Sequence, residues 1–153
     1  MKAMKRRHRK LAVVTISSLV AVAVVLFAIQ MWTATPHIRY EVMNGYSGFH
    51  SILEITPNGD YSLQLLHGRG GSWEVCDGKV TINQALSIKK SLLTNLYFTL
   101  PKDLSDHSMT DNSTEELEVR LGVIKKVIGG YGVRNPRFRN IAKELETLIA
   151  SHN

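Results

Sequence analysis

The chain has 153 residues, 44% of them hydrophobic, with 19 lysines and arginines, 13 aspartates and glutamates and one cysteine. The net charge of +6 does not mark a nucleic-acid binder: Lys2, Lys5, Arg6, Arg7, Arg9 and Lys10 crowd the first ten residues, and the rest carries 13 acids against as many cations. Without a surplus to neutralise phosphates the inference to nucleic acid fails, and a single cysteine, Cys76, rules out an internal disulfide framework.

Residues 1–10 therefore read as a basic tail, and residues 11–32 follow without one Asp, Glu, Lys, Arg or His. As a helix this run would extend about 33 Å, enough to cross a hydrocarbon core of about 30 Å. Bulky Trp32 stands two residues before Ala34, where a signal peptidase prefers a small side chain. The expectation is an uncleaved transmembrane signal anchor in the lipid bilayer, with a cleaved signal as the competing reading. The positive-inside rule then keeps the amino terminus cytoplasmic and places the carboxyl-terminal domain outside, as a single-pass membrane protein. Ser17, Ala21 and Ala28 are small enough to let a second helix approach, so homo-oligomerisation or assembly into a membrane complex through the span is an alternative role.

Residues 33–37 form a linker, and 38–153 are enough for one small domain. "HIRYEVM" alternates Ile38, Tyr40 and Val42 with Arg39 and Glu41, the period of a half-buried strand. "FHSILEIT" and "YSLQLLH" flank the turn signal "PNGD", which makes Phe49 to His67 a hairpin. "WEVCDGKVT" reads as a short fourth strand or as a hairpin about Asp77 and Gly78. Thr81 with Gln84 has the form of a capping box, and Ile82, Ala85, Leu86, Leu92, Leu93 and Leu96 recur at helical spacing. Residues 102–116 read as a polar loop containing the sequon at Asn112. "LEVRLGV" and "IKKVIGG" resume strand alternation, which Gly129, Gly130 and Gly132 should end. Asn135 before Pro136 starts a last helix with its stripe at Phe138, Ile141, Ala142, Leu145, Leu148 and Ile149. The fold class expected is α+β: a transmembrane helix, then a small antiparallel sheet with two helices packed on one face.

Catalytic signals are sparse, and no enzyme activity or cofactor is expected. His37, His50, His67, His107 and His152 lack the close pairing of a zinc helix. His50, His67 and Cys76 offer a metal-dependent hydrolase as a minor alternative. "SDHS" at Ser105 to Ser108 gathers nucleophile-like residues in one loop, whereas a triad converges from separate elements. A sharper feature is "GGYGVRNPRFRN", in which Arg134, Arg137 and Arg139 crowd a helix amino terminus. Cations oppose the helix dipole there, so an acidic partner should compensate them. That partner is either a ligand or a glutamate of the same domain, with Glu115, Glu116 and Glu118 near in sequence.

"YEVMNGYSGFHSILEI", Tyr40 to Ile55, resembles the first strand, glycine-containing turn and second strand of emfourin-type inhibitors of thermolysin-like metalloproteases. "YFTLP" at Tyr97 to Pro101, the hairpin after it and the helix from Pro136 fall in the order of that family's second half. The resemblance implies a non-catalytic, protein-binding domain, and with the membrane placement the expectation is that it binds another envelope protein or restrains a protease. It also makes Asn44, Gly45, Tyr46, Ser47 and Gly48 a candidate contact loop; a tight turn that needs glycine for its backbone angles is the simpler account of the same residues.

Overall fold

A computed structural model describes residues 22, 35–108 and 113–150. Four strands come first, β1 (His37–Asn44), β2 (Phe49–Ile55), β3 (Asp60–Leu66) and β4 (Trp73–Lys79). Helix α1 (Ile82–Thr94) and a short 3₁₀ turn (Tyr97–Thr99) lead to β5 (Thr114–Leu121) and β6 (Ile124–Tyr131), and α2 (Pro136–Ala150) closes the order. The strands form one sheet in the order β4-β3-β2-β1-β5-β6, with every neighbouring pair antiparallel.

Register explains the layering. Tyr40 lies opposite Leu53 on one side and Leu117 on the other, and Ile38 opposite Ile55 and Val119. These residues, with Leu63, Leu65 and Ile128, are buried in a core shared with Ile88 and Leu92 of α1 and with Phe138, Ile141, Leu145 and Leu148 of α2. Both helices therefore cover the same face, because strand side chains alternate and only one set is apolar throughout. The other face carries Arg39, Glu41, Glu54, Glu116 and Glu118 near the middle of the sheet, and neither described helix lies on it.

The membrane architecture is corrected. Among the described residues no helix is long and apolar enough to cross a membrane: α1 and α2 have 13 and 15 residues, about 20 and 23 Å at the helical rise. The run expected to span, residues 11–32, lies outside the described residues except for Val22. An apolar run measures transfer free energy; it does not by itself make a spanning helix. The single-pass placement, the lipid partner and association through Ser17, Ala21 and Ala28 rested on that run and are not carried forward. Asn112 also lies outside the described residues.

Smaller corrections each have a physical cause. Of the two readings of "WEVCDGKVT" the fourth strand is the one formed: Gly78 is inside it, where a side chain would strike the Tyr61 ring, 2.5 Å from its hydroxyl oxygen. Gly129 and Gly130 are inside β6 and do not end it: a Cβ on Gly129 would collide with the Glu115 carbonyl, and one on Gly130 would lie 2.6 Å from the Ser105 amide. β5 begins at Thr114, so Glu115 and Glu116 belong to a strand and not to the polar loop. In α1 the capping box of Thr81 and Gln84 is formed, but the buried stripe is Ile88 and Leu92, while Ile82, Leu86 and Leu93 are exposed.

Candidate functional site

The β1–β2 turn is built by one side chain. Asn44 Oδ1 accepts hydrogen bonds from the amides of Tyr46 and Ser47, both at 3.0 Å, and the Asn44 carbonyl accepts from the Gly48 amide at 2.9 Å. This is the local bonding for which asparagine is favoured in turns. Gly48 takes φ +73, and a Cβ there would lie 2.6 Å from the Arg69 amide nitrogen. The turn thus presses against the β3–β4 connection, and Arg69 Nη2 donates to the Gly45 carbonyl at 2.9 Å. Both reasons for glycine apply at once, a left-handed backbone and a close approach.

At the outer end of this braced turn Tyr46 is 82% exposed. On the open face of the sheet Met43 lies opposite His50 on β2, and Trp73 opposite Leu66 on β3. The His50 ring meets Trp73 edge-on at 5.1 Å between centroids, and His50 Nε2 is 2.8 Å from Glu41 Oε1. Trp73 is 44% and Met43 47% exposed. Tyrosine, tryptophan and methionine, solvent-facing but held by a fixed backbone, are the residue types enriched at protein contacts.

The arginine cluster is distributed among three internal roles. Arg137 donates to the Asn95 carbonyl at 2.9 Å, the Leu96 carbonyl at 3.1 Å and Thr99 Oγ1 at 2.7 Å, tying the start of α2 to the end of α1. Its partners are backbone carbonyls at a helix carboxyl end, so its charge complements that dipole while opposing its own. Arg139 bridges Glu115 at 2.5 Å and Glu146 at 2.9 Å. The Tyr40 hydroxyl is shared between the same two carboxylates, 2.8 Å from Glu115 and 3.2 Å from Glu146, and burial, then the charge of Glu115, raises its pKa well above the ordinary tyrosine value. Arg134 Nε is 3.6 Å from Asp106. The α2 amino terminus is itself capped by Asn135 Oδ1, which accepts from the amides of Arg137 and Phe138.

The metal alternative is not assembled. His50 belongs to the open face, in register between Met43 and Leu66, whereas Cys76 lies opposite Leu63 on the helix-covered side. The His67 ring is tilted at 58° to that of Phe49, 6.0 Å between centroids, and faces Glu74 at 3.8 Å. Among the described residues no group of three His, Cys, Asp or Glu side chains is placed to hold a metal.

Sequence reasoning missed a second exposed patch. Ile82, Leu86 and Leu93 of α1 and Leu96 just beyond it are 79%, 50%, 57% and 57% exposed. Leu96 adopts φ +49, alone among described residues other than glycine in having a positive φ. A left-handed leucine costs on the order of 1 kcal/mol, and the Arg137 bond to its carbonyl helps hold it. Helical spacing could not separate this stripe from the buried one, since two apolar stripes share one helix.

No protein-family model matches the chain, and no curated protein matches it.

Proposed function

We propose that this domain is a non-catalytic protein-binding module, and that its contact surface is the Asn44–Gly48 turn together with Met43, His50 and Trp73. The observation that carries this reading is an aromatic tip, Tyr46, 82% exposed on a turn fixed by Asn44, Gly48 and Arg69. Rigid presentation lowers the entropic cost of binding, which favours a contact role for an exposed ring. Arg134, Arg137 and Arg139 serve the fold, since their partners lie within the domain. The resemblance to emfourin-type inhibitors makes a thermolysin-like metalloprotease the first partner to test.

The full chain is titrated into such a protease, with Tyr46→Ala and Trp73→Ala alongside. Inhibition that weakens at least tenfold in either variant, with unchanged melting temperature, supports the assignment. Absence of inhibition removes the protease reading. The broader binding reading is then tested by affinity capture on immobilised wild type and immobilised Tyr46→Ala, and it fails if both retain the same proteins.

A further inference from the structure

The two edges of the sheet differ in a way that points to a second copy of this chain. Along β6 the segment from Lys102 to Asp106 lies against the strand: the Gly129 amide donates to the Lys102 carbonyl, the Leu104 amide to the Gly129 carbonyl and the Asp106 amide to the Tyr131 carbonyl, at 2.8 to 3.0 Å. Nothing comparable meets β4. Its residues are exposed except Cys76 and Gly78, which are half-buried, and among the described residues no backbone hydrogen bond reaches Trp73, Val75, Asp77 or Lys79 from outside the sheet.

Register fixes which groups of β4 are free. The Val80 amide donates to the Gly59 carbonyl at 2.8 Å, and Asp60 lies opposite Lys79. Hydrogen-bonded and non-bonded pairs alternate along an antiparallel ladder, so Gly78, Cys76 and Glu74 turn their amides and carbonyls inward to β3. Trp73, Val75, Asp77 and Lys79 turn theirs outward. An antiparallel partner at this edge must pair with these four residues.

We propose that β4 pairs with β4 of a second copy, antiparallel about a two-fold axis at Cys76, so that the two sheets become one of twelve strands. The strand is seven residues long with Cys76 at its centre, so full overlap on itself requires this register. It also brings outward-facing residues onto outward-facing residues: Trp73 with Lys79 of the copy, and Val75 with Asp77 of the copy. Lys79 meets an indole, a favourable cation–π arrangement, and Glu74 meets Gly78. No like charges stand directly opposite; the two Asp77 side chains approach only on the diagonal. Shifting the axis to Asp77 would oppose two carboxylates, and shifting it to Val75 would set Gly71 opposite Lys79 and lose the contact with the indole. Cys76 then faces Cys76 of the copy as a non-hydrogen-bonded pair, the kind in which opposed side chains come closest. Such a two-fold contact closes on itself and uses up the exposed edge, which answers the hazard of an uncovered strand. It shares Trp73 with the surface around Tyr46 but uses none of Tyr46, Met43 or His50, which lie on β1, β2 and the turn between them, so it stands whether or not that surface binds a partner.

The test uses the full chain and two readouts. Light scattering during size-exclusion chromatography should give a dimer, and a short bismaleimide should link it through Cys76, the single cysteine of the chain. Val75→Pro removes an amide that points outward and leaves the β3 ladder intact, since proline is tolerated where the N–H side of an edge strand faces away. It should abolish the dimer and the cross-link while the circular dichroism spectrum stays that of the wild type. Asp77→Asn removes the diagonal repulsion and should tighten the dimer about threefold. A monomer at concentrations up to about 100 μM would overturn the proposal. So would a dimer that Val75→Pro leaves unchanged, or one that the bismaleimide does not link.

Discussion

The β6 and β4 edges show two ways of finishing the same sheet. At β6 the chain itself supplies the cover, and side chains fasten it. Tyr97 is fully buried, and its hydroxyl donates to the carbonyls of Leu117 at 2.6 Å and Lys126 at 3.0 Å. Lys126 Nζ turns back to the carbonyls of Phe98 and Leu100, at 2.7 and 2.6 Å. Ser105 Oγ accepts from the Tyr131 amide at 3.1 Å and donates to Asp103 at 2.6 Å. At β4 three of the seven residues are charged, and among the described residues no segment of the chain covers the strand. An edge closed from within is paid for by special residues, here two glycines, a buried tyrosine and a lysine; an edge left open costs the monomer nothing but needs a second chain.

This contrast is broken most severely at Gly129. Gly129→Val drives a branched side chain into the β5 backbone, and we expect a loss of about 3 kcal/mol or more in urea denaturation, against less than about 0.5 kcal/mol for Val75→Thr at the bare edge. Equal losses would end the distinction between the two edges. Tyr97→Phe keeps the ring but deletes both hydroxyl bonds, at a cost of about 1 to 2 kcal/mol by the same assay.

Leu96→Gly runs the other way. It relieves a left-handed leucine at a helix end and should raise stability by about 1 kcal/mol; a decrease would mean that the exposed Leu96 side chain packs in a way its surface exposure does not show.

Two pH effects sharpen the picture further. Burial, ahead of the charges of nearby glutamates, raises the phenols of Tyr40 and Tyr97 above the usual tyrosine value. A raised folded-state pKa supplies stability that is whole below about pH 10, the unfolded value, and is lost as pH rises beyond it. Two of the five tyrosines should therefore ionise only as the chain unfolds, seen as a late step in absorbance near the tyrosinate band. The smallest effect is at Glu118, which bonds to Lys125 at 2.9 Å and then to Arg120 hold below the ordinary carboxylate range. Its contribution is complete above the unfolded carboxylate value and fades as pH falls through the lowered one. Glu118→Gln should flatten the acid side of the stability curve by less than about 1 kcal/mol, because Lys125 and Arg120 are half exposed to solvent.

Much of the local structure was legible in the residues. Period-two alternation located β1, β2, β3 and the second half of β5, the Pro57 to Asp60 turn gave the hairpin, and Thr81 and Asn135 marked helix starts that their side chains do cap. These are effects of neighbours in sequence, so the sequence carries them. The glycine turn from Asn44 to Gly48 was legible as a turn, but its rigidity was not, since it depends on Arg69 more than 20 residues away.

The chain alone thus determined where its strands and helices begin and which side chains repeat on one face, because those depend on backbone preference and on the alternation of apolar groups. Tertiary structure decided the rest: which of two apolar stripes on α1 is buried, why glycines stand inside β4 and β6, where three arginines find their partners, and which sheet edge stays open. Each of these is a contact between segments distant in sequence, and such contacts are set by packing in three dimensions, to which a pattern along one dimension is blind.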